Sequence, residues 1–252
     1  LNQPGTYRDV KDTTIVAQFK AKNEDDLYLL AWTTTPWTLA GNSALAVGAG
    51  ITYVKVKTFN PYTFQPQTVI LAKDRMSAYF DAKAEGIALE DYKEGDKLIP
   101  YQVLEELKGK DLVGMTYEQL LPYVAPNGDA FRVIEGDFVT TEDGTGIVHI
   151  SPTFGADDYR VAQKAGIGAI MVKDDEGNEG PIVDKQGRYV KELGEFAGLY
   201  VKNEYYAANA PEKSLDVLLA IKLKEENKAF HVAKYEHSYP HCWRTDKPIL
   251  YY

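Results

Sequence analysis

The sequence is poor in cysteine and has no long apolar run. Cys242 is the single cysteine among 252 residues, so neither an intramolecular disulfide nor a zinc cage of several cysteines can form. Such cysteine usage is typical of a reducing compartment. The longest apolar stretch, residues 217–223, is interrupted by Lys222 and is much shorter than the roughly 18 residues that a membrane span needs. We therefore expect neither a disulfide scaffold nor a membrane-spanning protein.

Positive charge is also scarce. There are 28 Lys plus Arg against 37 Asp plus Glu, which gives a formal net charge of -9. An acidic chain is a poor stand-alone binder of nucleic acid, because phosphate contacts need clustered basic side chains. The chain also starts without Met or a signal-peptide pattern and ends on an apolar run, so we expect a piece of a longer protein.

The hydrophobic pattern predicts a strand-rich chain. Predicted strands cover residues 27–33, 52–57, 69–73, 131–134, 146–150, 169–172 and 230–235, and predicted helices cover residues 74–85, 157–165 and 211–228. The acidic stretch 174–180 is typical of an exposed hairpin or loop. Because regular βαβ alternation is missing, the fold class predicted is α+β, mostly β: a closed or nearly closed β-barrel core with peripheral helices.

Generic nucleotide and metal motifs are not found. There is no phosphate-binding loop and no dinucleotide glycine fingerprint, and residues 144–146 (Gly-Thr-Gly) alone are typical of a tight turn. His237 and His241 have the spacing of helical zinc ligands, but Pro240 between them argues against a helix. No metal site is predicted.

Two polar segments remain as candidates for chemistry. The first contains four threonines that follow a predicted strand, whose hydroxyls can hold a sugar hydroxyl, a carbonyl oxygen or a water, although threonine is also a common strand residue. The second contains His149 on a predicted strand and, at a predicted helix start, Asp157 and Asp158. Either both carboxylates cap the helix, or one of them binds a cation such as an α-ammonium group.

Together the two segments resemble the editing domain of isoleucyl-tRNA synthetase. The residues that carry the resemblance are Thr33-Thr34-Thr35-Pro36-Trp37-Thr38-Leu39, Gly144-Thr145-Gly146-Ile147-Val148-His149 and Gly155-Ala156-Asp157-Asp158-Tyr159. Residues 237–244 resemble the segment where that synthetase leaves its editing insertion. Related editing domains for valine and leucine carry an Arg inside the threonine motif, which this chain lacks. Two departures are Ala40-Gly41, in place of a Pro-small pair, and Thr245, where some relatives have a second Cys.

The resemblance implies a single editing domain over residues 1–252, with a core at about 25–235 and an exit segment at 236–252 leading to a catalytic domain. It implies hydrolysis of valine esterified to the 3′ end of the isoleucine tRNA, with the isoleucyl ester excluded. The implied partners are that tRNA end and the remainder of the synthetase polypeptide. The resemblance further implies a cytoplasmic, monomeric fragment that needs no cofactor for editing and no membrane.

Catalytic roles carried over from the family fall on three residues. Asp158 is expected to accept hydrogen bonds from the substrate's α-ammonium group. Thr38 would position a water or narrow the side-chain pocket, and His149 would exclude isoleucine by its bulk. None of these is an obvious general base, so we expect water to be positioned by hydroxyls and backbone groups, with help from the free hydroxyl of the adenosine.

Substrate-binding roles fall on the remaining residues of the motifs. The pocket for the terminal adenosine and the ester would be lined by Thr33, Thr34 and Thr35. Trp37 would wall this pocket, Asn42 would have a structural role, and Asp157 would cap the helix. Two alternatives stay open: a non-catalytic barrel that binds a tRNA end or an amino acid, and a stand-alone serine esterase using Ser151, His149 and Asp158.

Overall fold

The computed structural model describes residues 5–174, 176–206 and 208–251. The outermost residues, 1–4 and Tyr252, and Asp175 of the acidic stretch lie outside the described residues. The strands are β1 (Tyr7–Lys20), β2 (Leu27–Thr33), β3 (Ala44–Val47), β4 (Thr52–Phe59), β5 (Pro66–Ala72), β6 (Gln102–Lys108), β7 (Arg132–Glu135), β8 (Ile147–Ile150), β9 (Val172–Lys173), β10 (Glu179–Gly180) and β11 (Ala229–Pro240). The α-helices are α1 (Met76–Tyr79), α2 (Gly109–Leu112), α3 (Ala156–Ala165) and α4 (Leu215–Glu225). Short 3-10 helices cover Pro36–Gly41, Lys73–Arg75, Ala82–Ala84, Leu89–Asp91, Lys191–Phe196 and Asn203–Tyr205.

Within the described residues, nine strands form one mixed sheet that branches at β2. One edge of β2 pairs antiparallel with β1, which in turn pairs with β11. The other edge pairs in parallel first with β5 and then, at Trp32, with Val148 of β8. Strand β3 lies between β8 and β7. Because two strands share one edge of β2, the sheet divides beside its carboxyl end, where the threonine motif begins.

Strand β2 is buried on both faces. Leu27 and Leu29 belong to the main core, which α4 covers with Leu219. Leu30 points to a second apolar cluster, which includes Val69 of β5. Burial on both faces explains why this strand is a continuous apolar run and was readily predicted from the sequence.

The predicted fold class, mostly β with peripheral helices, is confirmed. The predicted strands at 27–33, 52–57, 69–73, 131–134, 146–150 and 230–235 are all present with small shifts of their ends, except that β11 continues to Pro240. The helix predicted at 157–165 is α3, and Gly166 ends it in the left-handed conformation. The helix predicted at 211–228 is the shorter α4, because the Ser214 side chain caps it by accepting the Val217 N–H.

Two predicted elements are wrong. The helix predicted at 74–85 breaks into short turns around α1, because Phe80 adopts an extended conformation and packs its ring into the second cluster beside Phe230. The strand predicted at 169–172 is displaced to β9, which forms a hairpin with β10. In that hairpin, Asp174 accepts the N–H groups of Glu176 and Asn178, as expected for an exposed acidic turn.

The turn before β8 is held tightly against the sheet. Gly146 has a φ of +75°, and a Cβ atom there would lie 2.4 Å from the Cβ of Ala72, so a larger residue does not fit. The Tyr53 hydroxyl donates to the Gly146 carbonyl at 2.6 Å, and Arg75 Nε donates to the Gly144 carbonyl at 2.8 Å. These contacts fix the start of the strand that carries His149.

In the part of the chain that the structure describes, every helix is too short or too polar to cross a membrane.

Candidate active site

A cleft of about 420 Å³ opens at the carboxyl end of β2 and runs between the threonine motif, the turn before β8 and the start of α3. Its threonines are Thr33, Thr34, Thr35, Thr38, Thr140 and Thr145. Its other lining side chains include Trp32, Phe138, Asp143, His149, Ser151, Phe154 and Asp158. Among the described residues, the lining contains two carboxylates and neither Lys nor Arg, so the cleft is suited to a cationic ligand group.

His149 is held in one orientation by hydrogen bonds to both ring nitrogens. Asn42 Nδ2 lies 3.0 Å from the Ala44 carbonyl, which can only accept, and 3.1 Å from His149 Nδ1. Nδ1 therefore accepts, and the proton of the neutral ring is on Nε2. His149 Nε2 lies 2.8 Å from the Thr38 hydroxyl, whose own proton is donated to the Thr35 carbonyl at 2.8 Å. The two carbonyls thus set the direction of the whole chain of hydrogen bonds.

The protonation state of His149 follows from its burial. The side chain is buried, and this burial lowers its pKa to about 4. His149 is consequently neutral at physiological pH, and both of its nitrogens are occupied. In this arrangement it acts as a rigid wall of the cleft and has no free lone pair with which to remove a proton from water.

Asp158 is the carboxylate without a cationic partner. Its Oδ2 accepts the Ser151 N–H at 2.8 Å, and no Lys, Arg or His among the described residues forms an ion pair with it. Burial raises the pKa of Asp158 to about 6; the Ser151 N–H opposes the rise and Asp157 adds to it. A partly buried carboxylate in this state binds a cation favourably, because the cation offsets the unfavourable burial of the negative charge.

The hydroxyls of the threonine motif form a connected row. The Thr33 hydroxyl oxygen accepts the Thr35 N–H at 3.1 Å, which tightens the chain as it leaves β2. The Thr35 hydroxyl lies 3.4 Å from the hydroxyls of both Thr33 and Thr38. Thr34 also faces the cleft, and its hydroxyl makes no hydrogen bond to another described residue. Such a row offers both donors and acceptors to an uncharged oxygen ligand.

Three predicted site residues do not line the cleft. Trp37 lies behind it, and its ring makes an edge contact with Phe154 at a centroid distance of 5.0 Å. Asn42 is buried, and its Nδ2 lies 3.1 Å from His149 Nδ1; its structural role stays a prediction. Asp157 is exposed and pairs with Arg160 at 3.5 Å. The helix-capping role predicted for Asp157 is contradicted, because the residue before α3 is Gly155 and no side chain caps it.

The serine, histidine and aspartate of the esterase alternative do not form a triad. The Ser151 hydroxyl is buried and donates to the Gly41 carbonyl at 2.9 Å rather than to His149. Asp158 contacts the Ser151 backbone, and the Nδ1 of His149 is occupied by Asn42. A nucleophilic serine needs a base within hydrogen-bond reach, which this geometry does not supply.

Sequence reasoning missed several residues that shape the site. The Tyr117 hydroxyl donates to Asn42 Oδ1 at 2.7 Å, so this fully buried residue begins the hydrogen-bond chain that ends at Thr35. Phe154 lines the cleft and lies inside a segment already singled out, so its position there was the available signal. For Tyr117 no signal existed, because the contact joins residues 75 positions apart.

The histidines outside the cleft have separate partners. His237 lies on β11 with Nε2 at 3.2 Å from Asp12 Oδ2, and His241 Nδ1 lies 2.9 Å from the Tyr239 carbonyl. Among the described residues, no group of three or more His, Cys, Asp or Glu side chains is arranged to hold a metal ion.

Solved structures with the same architecture define the class of the fold. The editing domain of the cytosolic leucyl-tRNA synthetase of P. knowlesi superposes with a TM-score of 0.54 and 12% identity, covering 92% of this chain and 98% of that one. The corresponding domain from P. falciparum gives a TM-score of 0.55 at 11% identity, covering 88% and 99%. The fold is therefore that of an editing domain of a class I aminoacyl-tRNA synthetase.

Curated relatives identify the family. The isoleucine–tRNA ligase of Cytophaga hutchinsonii is 62% identical over 267 residues, which span all of this chain and 24% of that protein. The ligase of Bacteroides fragilis is 54% identical across the whole chain, and that of Clostridium tetani is 38% identical across 98% of it. The chain belongs to the isoleucine–tRNA ligase family and spans about a quarter of the length of the Cytophaga and Bacteroides relatives. No protein-family model matches it.

Proposed function

We propose that the cleft hydrolyses the ester of valine wrongly attached to the isoleucine tRNA and excludes the isoleucyl ester. The observation that carries the proposal is Asp158, a carboxylate with no cationic partner among the described residues, in a cleft lined by hydroxyls beside an immobilised neutral histidine. The α-ammonium group of an aminoacyl ester supplies the missing cation. Its ester and the ribose oxygens match the row of threonine hydroxyls.

The chemical step is the hydrolysis of one ester bond. A water oxygen attacks the ester carbonyl carbon, the bond to the adenosine oxygen breaks, and the water's proton passes to that leaving oxygen. The products are free valine and a tRNA with a free 3′ end. Since His149 has no free lone pair, catalysis here is positioning of the water by Thr38, backbone groups and the free hydroxyl of the adenosine.

Selectivity requires discrimination by one methylene group. A hydrophobic pocket gains only about 1–3 kcal/mol from that difference, an energy for which isoleucine against valine is itself the standard example. A wall that clashes with the larger side chain discriminates further, because protein interiors yield little to an extra methylene. His149 is suited to be this wall, since Asn42 and Thr38 hold its ring from both sides.

The acidity of the chain is compatible with this substrate. Only the single-stranded 3′ end of the tRNA has to enter the cleft, and the remaining tRNA contacts would come from the rest of the synthetase polypeptide. These two partners, together with a single domain over residues 1–252, a cytoplasmic location and a monomeric fragment, stay predictions.

The deciding experiment is deacylation of valyl-tRNA, without ATP so that no new ester forms. We expect the full-length ligase that carries this chain to shorten the lifetime of the valyl ester at least about 100-fold relative to spontaneous hydrolysis, as enzymic acceleration requires. A non-catalytic module that only binds the tRNA end would leave the lifetime unchanged or lengthen it, and that result would refute the proposal.

Replacement of Ser151 by Ala separates the proposal from the esterase alternative. Loss of the hydroxyl leaves the Gly41 carbonyl without its partner, so we expect the free energy of unfolding to fall by about 1 kcal/mol. Deacylation of valyl-tRNA should stay within about threefold of the parent, because the hydroxyl is not directed at the ester. Inactivation in the same assay, with the fold intact by circular dichroism, would favour a serine nucleophile.

A further inference from the structure

The backbone of Trp37 is held on both sides by side chains from outside the threonine motif. The Asp216 carboxylate, in the first turn of α4, accepts the Trp37 N–H through Oδ1 at 3.0 Å. On the other side, the buried Tyr189 hydroxyl donates to the Trp37 carbonyl. Neither residue lines the cleft, so the motif is anchored to the body of the fold at the residue before Thr38.

This anchoring bears on the cleft because Trp37 and Thr38 lie in the same 3-10 helix, Pro36–Gly41. The Thr38 N–H donates to the Thr35 carbonyl at 2.9 Å, and the Thr38 hydroxyl contacts His149 at 2.8 Å. A rotation of this turn would lengthen the contact to His149 and move the hydroxyl that positions water. A displacement of about 1 Å in such a group can cost on the order of 100-fold in rate.

Burial of the Asp216 carboxylate is unfavourable for the stability of the fold. The residue is only 6% exposed, and a buried carboxylate is unfavourable unless it is hydrogen-bonded or paired. Burial raises its pKa to about 7; Lys202 opposes the rise, Asp12 adds to it, and the Trp37 N–H and Lys234 oppose it. Lys202 is itself ion-paired with Asp12 at 2.9 Å. The Asp216 carboxylate accepts the Trp37 N–H, so this bond is what the buried oxygen provides to the fold.

We propose that Asp216 and Tyr189 are positioning residues that clamp the peptide groups of Trp37 and thereby set the contact between Thr38 and His149. The inference rests on the proposed deacylase function. It requires an accepting oxygen at residue 216 rather than a negative charge. An asparagine, whose amide oxygen accepts an N–H equally well, should therefore hold the Trp37 peptide as the aspartate does.

The test compares three variants of the full-length ligase that carries this chain: Asp216→Ala, Asp216→Asn and Ser214→Ala. Ser214 is the matched control, because its hydroxyl caps the same helix at 3.4 Å from the Val217 nitrogen and makes no hydrogen bond to Trp37. For valyl-tRNA deacylation, we expect Asp216→Ala to lower kcat at least about tenfold with KM changed less than about threefold. Asp216→Asn and Ser214→Ala should keep kcat within about threefold of the parent.

Hydrogen exchange by mass spectrometry gives a readout that does not depend on activity. In peptides that contain Trp37, exchange should accelerate at least about tenfold in Asp216→Ala and stay at the parent rate in Asp216→Asn, because only alanine removes the acceptor. If Asp216→Ala does not fold, Tyr189→Phe, which deletes one oxygen from the other side of the clamp, takes its place with the same expected loss of kcat.

Three results would overturn the clamp: parent-like kcat in Asp216→Ala, asparagine as slow as alanine, or an equal loss of kcat in Ser214→Ala. Failure of the proposed function has a different signature. The parent ligase would then leave valyl-tRNA intact, while exchange at Trp37 would still decide whether Asp216 holds the turn.

Discussion

Replacement of Asp158 by Asn is expected to abolish valyl-tRNA deacylation and at the same time to stabilise the fold. The loss, at least about 100-fold in kcat/KM, follows from removal of the charge that would bind the α-ammonium group. The fold is stabilised because, in the part of the chain that the structure describes, the partly buried Asp158 has no cationic partner, whereas an asparagine can still accept the Ser151 N–H. At pH 7 we expect the free energy of unfolding to rise by about 1–3 kcal/mol.

The difference in unfolding free energy between the parent and Asp158→Asn should depend on pH. The pKa of Asp158 is raised to about 6 in the folded chain, from an ordinary value of 3.8. Folding therefore favours the protonated form, and the stabilising contribution of this group is full below about pH 4 and lost as the pH rises through 6. Urea unfolding of the parent and of Asp158→Asn should give equal stabilities near pH 4 and a more stable variant at pH 7.

The neighbouring carboxylate provides the control for Asp158. Asp157 lies in the same helical turn but is exposed and paired with Arg160, so Asp157→Asn should leave both the stability at pH 7 and the deacylation rate nearly unchanged. Equal losses of activity in the two variants would mean that the reaction depends on the total negative charge near the cleft and not on Asp158 in particular. A destabilised Asp158→Asn would show that the charge is favourable in the folded chain.

Replacement of His149 by Ala is expected to admit the isoleucyl ester. The imidazole is held rigidly against the cleft by Asn42 and Thr38, so its deletion opens more space than one methylene needs. We expect hydrolysis of isoleucyl-tRNA to rise at least about tenfold, while valyl-tRNA is hydrolysed more slowly because Thr38 loses its partner. Single-turnover deacylation of both esters measures the change.

Two further measurements test whether the size of the His149 side chain, and not its charge, excludes isoleucine. His149→Gln keeps a side chain of similar length with a donor and an acceptor, so it should retain most of the exclusion of isoleucine. Because burial lowers the pKa of His149 to about 4, the exclusion should also be constant from about pH 5 to pH 8. An alanine variant that spares isoleucyl-tRNA as well as the parent does would remove His149 from the sieve.

Much of the site could be predicted because its residues lie at the ends of strongly patterned elements. The apolar run of β2 leads directly to Thr33, and β8 carries His149 next to a glycine turn, so both candidates follow from local pattern. Strand β1 was missed, although it is the longest strand among the described residues, because the exposed half that begins at Tyr7 is polar. This polar half is held in the sheet by its antiparallel pairing with β11, which the local sequence pattern does not show.

The contacts that orient the site could not be predicted in this way. Tyr117 reaches Asn42 across 75 positions, and Asp216 reaches Trp37 across 179. Local periodicity carries no information on such pairs, because they depend on how the sheet branches and on where α4 packs. The resemblance to an editing domain indicated which residues belong together but assigned Trp37 to the pocket wall, a place that Phe154 occupies.

The most direct test of the account is the ratio of deacylation rates for valyl-tRNA and isoleucyl-tRNA, both on the isoleucine tRNA and with the full-length ligase that carries this chain. We expect the valyl ester to be hydrolysed at least about 100-fold faster, since in the proposed function His149 blocks the larger side chain while Asp158 binds either ammonium group. Equal rates for the two esters, or faster loss of the isoleucyl ester, would contradict it.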